Sequence, residues 1–273
     1  MADDIVQTEP KAQSAESGDK KSALPVAENI VAVASGKGGV GKTWLAITLA
    51  HHVARSGRRV LLFDGDIGLA NIDVQLGLMP KTDLSAVFSG KAKLADVVMP
   101  YGEEGFDIIA GRSGSANFGM ISEQRLHDVK SQLLELARSY DLVILDLGAG
   151  VENHVRSLSR IAARSLVVIT DEPTSLTDAY AFIKLTASRK RESGVQIVVN
   201  QATTQKEGER TYAAIAKACE NFLHFKPPLA GIIRRDPKVK DAIRHQKPLV
   251  TRAPGSTAAT DTAKLSIKLM VKE

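Results

Sequence analysis

Ile30-Val-Ala-Val-Ala-Ser-Gly-Lys-Gly-Gly-Val-Gly-Lys-Thr43 decides the fold. A short apolar run, readable as a strand over Ile30–Ser35, enters a glycine-rich turn, and a helical pattern starts at Lys42. Gly36 to Thr43 fits the phosphate-binding loop, a glycine, four residues and then Gly-Lys-Thr, in the strand–loop–helix context that the loop requires. The glycines let the backbone turn tightly and aim its N–H groups at phosphate oxygens. The helix beginning at Lys42 adds its positive end. The candidate nucleotide contacts are therefore Gly36, Lys37, Gly38, Gly39, Val40, Gly41, Lys42, Thr43 and Trp44. Lys42 is expected to neutralise the β- and γ-phosphates, and the Thr43 hydroxyl to ligate Mg²⁺.

Outward from the loop, apolar runs alternate with helix-length segments. Strands are expected at Ile30–Ser35, Arg59–Asp64, Phe106–Ala110, Asp141–Asp146, Ser165–Thr170, Val195–Asn200 and Leu229–Arg234. They are nearly continuous in Val, Ile and Leu, as strands covered on both faces should be. Helices are expected near 42–56, 122–139, 152–163, 175–192, 207–223 and 256–271. Leu126, Val129, Leu133, Leu134 and Ala137 share one side of the second of these. The alternation implies right-handed crossovers and an α/β fold: a doubly wound, mostly parallel sheet flanked by helices. Residues 1–28 are polar and lack periodicity, so they read as a disordered tail, and residues 29–273 as one domain.

Composition removes other classes. Of 273 residues, 44% are apolar and 25% charged, as in a soluble globular protein. One cysteine, Cys219, excludes an internal disulfide framework and any cysteine-only metal cluster within one chain. No apolar stretch approaches the ~20 residues that span a bilayer, and the first residues do not resemble a signal peptide, so a cytoplasmic setting is expected. The tail carries a net −3 and the remainder +8. An excess of that sign suits an anionic partner but is also common on surfaces without one.

Three carboxylates join the loop. Asp64 and Asp66 follow the strand Val60-Leu-Leu-Phe, and carboxylates at such a strand end lie beside the nucleotide crevice of a parallel sheet. Asp146 follows Val143-Ile-Leu145 and precedes Leu147-Gly-Ala-Gly150, the arrangement that holds Mg²⁺ through water. Gly148 and Gly150 would let the next turn approach the γ-phosphate. Lys37 is a second lysine that phosphate cradling within one chain does not require. It is either a finger reaching a partner's nucleotide or an exposed loop lysine.

Lys37-Gly-Gly-Val-Gly-Lys-Thr43 resembles the deviant Walker A box of the MinD/ParA family, and Asp64-Gly-Asp66 resembles that family's second box. The resemblance implies a P-loop NTPase of the SIMIBI type that sandwiches ATP between two protomers. It implies an orienting role on the attacking water for Asp66, a link between Mg²⁺ and the switch segment for Asp64, and catalytic roles for Lys37 and Lys42. Asp171-Glu-Pro-Thr-Ser-Leu-Thr-Asp-Ala-Tyr-Ala-Phe-Ile-Lys184 is similar to the flagellar-number regulators (FlhG, FleN or YlxH). That branch implies a slow, partner-stimulated ATPase controlling flagellar number or placement, with a partner in flagellar assembly or its transcriptional control. Asn200 would meet the adenine edge, although the residues alone allow a helix cap or turn. Gly231 to Asp236 would pack against the base. Trp44 and Leu147 stand where the family usually has hydroxyl residues, and Arg234 where it has proline.

The resemblance also allows a MinD- or ParA-like positioning ATPase that acts on the membrane or DNA, and Trp44 and Leu147 motivate a further alternative, a nucleotide-binding scaffold with little hydrolysis. Thr260 to Glu273 offers Leu265, Ile267, Leu269, Met270 and Val271 beside Lys264, Lys268 and Lys272. It reads first as the last helix of the fold and second as a peripheral attachment to the inner face of the membrane. Arg189-Lys-Arg191 and the basic residues from Arg234 to Lys247 are candidates for DNA, but no aromatic residues interleave with them.

Overall fold

In the computed structural model, which describes residues 24–102, 105–111, 121–187 and 194–271, the expected alternation is present. The elements are β1 (Ala27–Ser35), α1 (Lys42–Arg55), β2 (Val60–Gly65), α2 (Ile72–Leu76), α3 (Leu84–Phe88), a 3₁₀ turn (Leu94–Val97), β3 (Met99–Tyr101), β4 (Phe106–Ile109), α4 (Glu123–Ala137), β5 (Leu142–Ala149), α5 (Asn153–Ser159), β6 (Ala162–Ile169), α6 (Pro173–Ala187), β7 (Val195–Ala202), α7 (Gln205–Leu223), β8 (Leu229–Arg234), α8 (Pro237–Arg244), α9 (Leu249–Arg252) and α10 (Thr257–Met270). The sheet order is β3-β4-β2-β5-β1-β6-β7-β8. Every neighbouring pair is parallel except β3 with β4.

Strand alternation assigns the side chains to two cores. From β1, Ile30, Ala32 and Ala34 join one apolar cluster with α3 to α7. Val31 and Val33 join the other, with α1, α2, α8, α9 and α10. The same rule carries the chemistry. In β2, Val60 and Leu62 face the α1 side, so Asp64 follows them there. In β5, Leu142 and Ile144 do likewise, and Asp146 follows. Asp64 and Asp146 are register partners on adjacent strands, so the fold brings them side by side. The chain leaves β1 outward in both directions, which opens a crevice at its C-terminal end where the loop lies.

Several boundaries differ from the sequence expectation. β1 begins at Ala27 rather than at Ile30, and Leu24 already packs on the core, so the tail assigned to 1–28 gives way to folded chain earlier. β5 runs on to Ala149 and β7 to Ala202, so Asp146 and Asn200 are interior strand residues rather than strand ends. The helix expected over 152–163 stops at Ser159, because Ala162 pairs with Ala27 and starts β6. No glycine or proline marks that change, and alanines favour helix when packing does not decide. The helix expected over 175–192 begins at Pro173; its far end and the basic stretch 188–191 lie outside the described residues. β3 was not expected: it is three residues long, carries Pro100, and sits on the edge, where a proline is tolerated. α2, α3, α8 and α9 are too short for periodicity to reveal.

Candidate nucleotide site

The loop after β1 closes over its own side chains. Lys42 is 8% exposed, and its Nζ donates to Ser35 Oγ at 2.9 Å. Ser35 Oγ in turn donates to the Lys37 carbonyl at 2.6 Å. Burial lowers the Lys42 pKa, while the charges of Asp146 and Asp66 raise it. Gly41 caps α1 at φ 94°, a conformation that a side chain strains. A Cβ there would stand 2.5 Å from Asn200 Nδ2.

Gly36 is required for a different reason, since a Cβ would lie 2.1 Å from the backbone carbon of Asp178 in α6. The α6 backbone cannot yield as a flexible side chain would. Gly36→Ala is therefore expected to lower Tm by roughly 3–10 °C, the range given by an overpacking cost of about 1–3 kcal/mol. Differential scanning calorimetry reads it directly, and an unchanged Tm would show that α6 is free to shift.

Asp64 is fully buried, and its two oxygens accept backbone N–H groups from Asp66 (3.2 Å), Asn71 (3.3 Å) and Ile72 (3.3 Å). It thereby holds the segment 66–72 in place. Burial and the neighbouring Asp146 push its pKa well above the usual carboxylate range. Asp66 is half-buried, accepts from Leu69 N at 3.2 Å, and lies against Gly148. Burial raises its pKa, opposed by the Leu69 N–H and by Lys42. Asp146 is 1% exposed. Its pKa is pushed up to about 7 by burial, against the pull of the Thr43 hydroxyl and Lys42. Thr43 thus faces Asp146, yet neither carboxylate oxygen has a hydrogen-bond partner of full geometry.

That orphaned carboxylate tests whether a metal suits the site. Burying an unpaired carboxylate is costly, and a hydrated cation between Thr43 and Asp146 would remove the cost. No group of three His, Cys, Asp or Glu forms a metal cage among the described residues. Magnesium held by one or two protein groups and by phosphates needs none. At Gly38 and Gly39 nothing stands within 4 Å of where a Cβ would sit, which leaves room for phosphates. The residues fit Mg²⁺ and a nucleotide.

The remaining expected residues fall in varied places. Lys37 turns back onto its own chain, donating to Glu172 and, at 2.7 Å, to Thr174 Oγ1, both at the start of α6. Asn200 is buried and donates to the Val40 carbonyl at 2.7 Å, bracing the loop. It caps no helix; Thr204 caps α7. Asp236 accepts from Lys238 N (2.9 Å) and Ala258 N (3.1 Å), so its carboxylate ties α8 to α10. Burial raises its pKa, but hydrogen bonds from the Ala258, Lys238 and Thr257 N–H groups and the Ser256 hydroxyl together outweigh it and hold the group below the usual range. Arg234, in place of the expected proline, pairs with Asp261 at 2.9 and 2.8 Å. Trp44 is 5% exposed and packs into the α1–α10 core, with its indole N–H unpartnered. Its main-chain N–H lies in the first turn of α1, where no carbonyl of the helix accepts it. Leu147 points into the opposite core, against Gly65 and near Leu158. Sequence reasoning missed Ser35 and Thr174. Ser35 had a signal, being the hydroxyl residue immediately before the loop; Thr174 had none.

A family model described as the CobQ/CobB/MinD/ParA nucleotide binding domain matches residues 31–249. The antiactivator FleN of Pseudomonas aeruginosa is 36% identical over 230 residues, 84% of this chain and 82% of that protein. The flagellum site-determining protein YlxH of Helicobacter pylori is 32% identical over 229 residues, 82% of this chain and 76% of that protein. Among solved structures, the septum site-determining protein MinD of Pyrococcus horikoshii, in complex with Mg-ADP, superposes with a TM-score of 0.75 at 23% identity, covering 89% of this chain and 96% of that one.

Proposed function

The chain belongs to the CobQ/CobB/MinD/ParA nucleotide-binding family, and from that premise we propose that it is an ATP-binding and hydrolysing dimerisation switch that regulates flagellar number or placement. The observation that carries the reading is the convergence of Lys42, Thr43, Asp66 and the orphaned Asp146 at the open end of the phosphate loop. Backbone N–H groups of Gly38 to Trp44 cradle the phosphates, and Lys42 neutralises the β- and γ-oxygens. Thr43 and Asp146 would hold Mg²⁺, with Asp64 linking it to the switch segment, and the cation would supply further neutralisation of phosphate charge. Asp66 orients the attacking water, and Asp64 keeps the segment that carries Asp66 in register. The Asn200 amide keeps one N–H for the adenine edge, and the backbone around Asp236 borders the base. Turnover is slow until a partner engages. The partner belongs to flagellar assembly or to its transcriptional control.

The experiment is mass measurement by light scattering with ATP and Mg²⁺. A doubling of mass that Lys42→Ala abolishes is expected; a monomer under all nucleotide conditions overturns the switch. Lys37 gives a second prediction. Freed from Glu172, it reaches the partner's phosphates, so mixing Lys37→Ala with wild type should lower turnover beyond simple dilution. Glu172→Gln, which removes the competing carboxylate, should lower the ATP concentration that half-saturates dimerisation by about threefold.

A MinD- or ParA-like positioning role is the second reading, and α10 favours its membrane form. Ile267 and Val271 are 66% and 58% exposed, with Lys264 and Lys268 beside them. No helix of the described residues is long and apolar enough to cross a membrane. Sedimentation with anionic liposomes and with DNA, with and without ATP, distinguishes the readings.

A further inference from the structure

α6 and α7 enclose an apolar groove of about 240 Å³ on the sheet face away from α1, lined by Leu176, Tyr180, Ala214, Ala218 and Phe222. Phe222 is 73% exposed and meets Tyr180 edge-on, with ring centroids 6.5 Å apart. A large aromatic so exposed, set against two alanines, forms a slot rather than a filled core. The slot follows α7 from Ala214 to Phe222, a span of roughly 12 Å at 1.5 Å per residue. That matches two to three turns of a docked helix with apolar residues at i, i+3 or i+4, and i+7.

The rim is cationic. Helical spacing puts Lys184 one turn beyond Tyr180 on α6, and Arg210 and Lys217 beside Ala214 on α7. All three are exposed, and none takes part in an ion pair among the described residues. Glu209 and Glu220 fall on the opposite side of α7, and Glu207 at the end nearer the nucleotide.

Two other occupants fit poorly. Residues 1–23 are acidic, but Ile5 and Val6 are adjacent, and no later apolar residue of that stretch completes an i, i+3, i+7 set with them. In a second copy, the helix end with spaced exposed large apolar residues, Ile267 and Val271 at the end of α10, is flanked by Lys264 and Lys268 and would be repelled by the rim.

We propose that the α6–α7 groove is the docking surface for an acidic amphipathic helix of a protein partner, with Phe222 as the central anchor and Lys184, Arg210 and Lys217 selecting the charge. The groove lies apart from the phosphate loop, but α6 borders both: its first turn holds Lys37, and its backbone at Asp178 packs on Gly36. A helix seated against α6 is thereby in direct mechanical contact with the element that retains Lys37.

The test uses full-length protein and a labelled 18-residue peptide with leucines at i, i+3, i+4 and i+7 and glutamates on its flanks, read by fluorescence anisotropy. A control peptide has lysines in place of the glutamates. The acidic peptide should bind in the micromolar range, the basic one at least tenfold more weakly. Phe222→Ala should weaken the acidic peptide about tenfold or more, and Lys184→Glu with Lys217→Glu should abolish the preference. Both variants should keep wild-type Tm and nucleotide affinity; if Phe222→Ala alters Tm, the exposed pair of charge variants decides alone. Equal binding of the two peptides, or no effect of the charge variants, overturns the proposal. So does acidic-peptide binding that appears only after residues 1–23 are deleted, or self-association of wild type that Phe222→Ala dissolves. Failure of ATP-dependent dimerisation with peptide binding intact would instead reject the switch and leave this surface standing.

Discussion

Asp66→Ala is expected to cut ATP turnover by at least a hundredfold and to leave a persistent nucleotide-bound dimer. The side chain is half-buried beside Gly148 and within the field of Lys42, where an attacking water would meet it. Its removal should not disorder the segment. The backbone N–H of Asp66 still donates to Asp64, and Asp64 still accepts from Asn71 and Ile72. Binding groups, Lys42 and the loop amides, are untouched, so dimerisation should survive while hydrolysis fails. Asp66→Asn sharpens the test: it keeps an oxygen for the Leu69 N–H but loses the charge. If both variants hydrolyse normally, water orientation lies elsewhere. If Asp66→Asn retains activity while Asp66→Ala loses it, hydrogen bonding and not charge is what matters.

How much of this was legible in the sequence follows from how far each feature reaches along the chain. The loop and its flanks are local, so Gly36 to Thr43 specified strand, turn and helix without help. Asp64 and Asp146 are 82 residues apart, yet each sits in an apolar run whose alternation fixes its face, so their meeting needed only a parallel sheet. The site elements that escaped reading depend on contacts that no period encodes. Lys37 with Glu172 joins a loop to a helix start 135 residues away, and its pairing within one chain could not be told from a reach across a dimer. Asn200 is held by the carbonyl of Val40, 160 residues distant, and no local pattern distinguishes a loop brace from a base contact. α8 escaped reading for a different reason, since Asp236-Pro237 offers a local signal, a cap and an N-terminal proline, but the helix is too short for a period to confirm it. That signal also explains why Asp236 reads as a structural residue once the fold is in view.

Asp146→Asn should raise the stability of the nucleotide-free protein while abolishing Mg²⁺-dependent hydrolysis. Two terms oppose one another. The carboxylate attracts Lys42, which favours keeping it. Against that, it is buried without a full hydrogen-bond partner and lies beside Asp64, and its pKa of about 7 shows that burial wins. An acid whose pKa rises on folding binds more protons when folded, so its cost appears as pH climbs from the unfolded value near 4 to about 7. Below that window the acid is neutral in both states and nothing is lost. The Tm gap between Asp146→Asn and wild type should therefore be smallest below about pH 4, open progressively between about pH 4 and 7, and reach several degrees by about pH 8. A pKa raised from 3.8 to about 7 is worth roughly 4 kcal/mol, and each 1 kcal/mol moves a domain of this size by about 2–4 °C. Scanning calorimetry across that pH range checks the sign. A variant less stable than wild type at pH 8 would mean that the attraction to Lys42 dominates. In the same variant, turnover should fall at least a hundredfold, because the amide cannot hold the hydrated cation as a carboxylate does. A site that gains stability when it loses activity is one built around a charge that the folded chain alone does not satisfy.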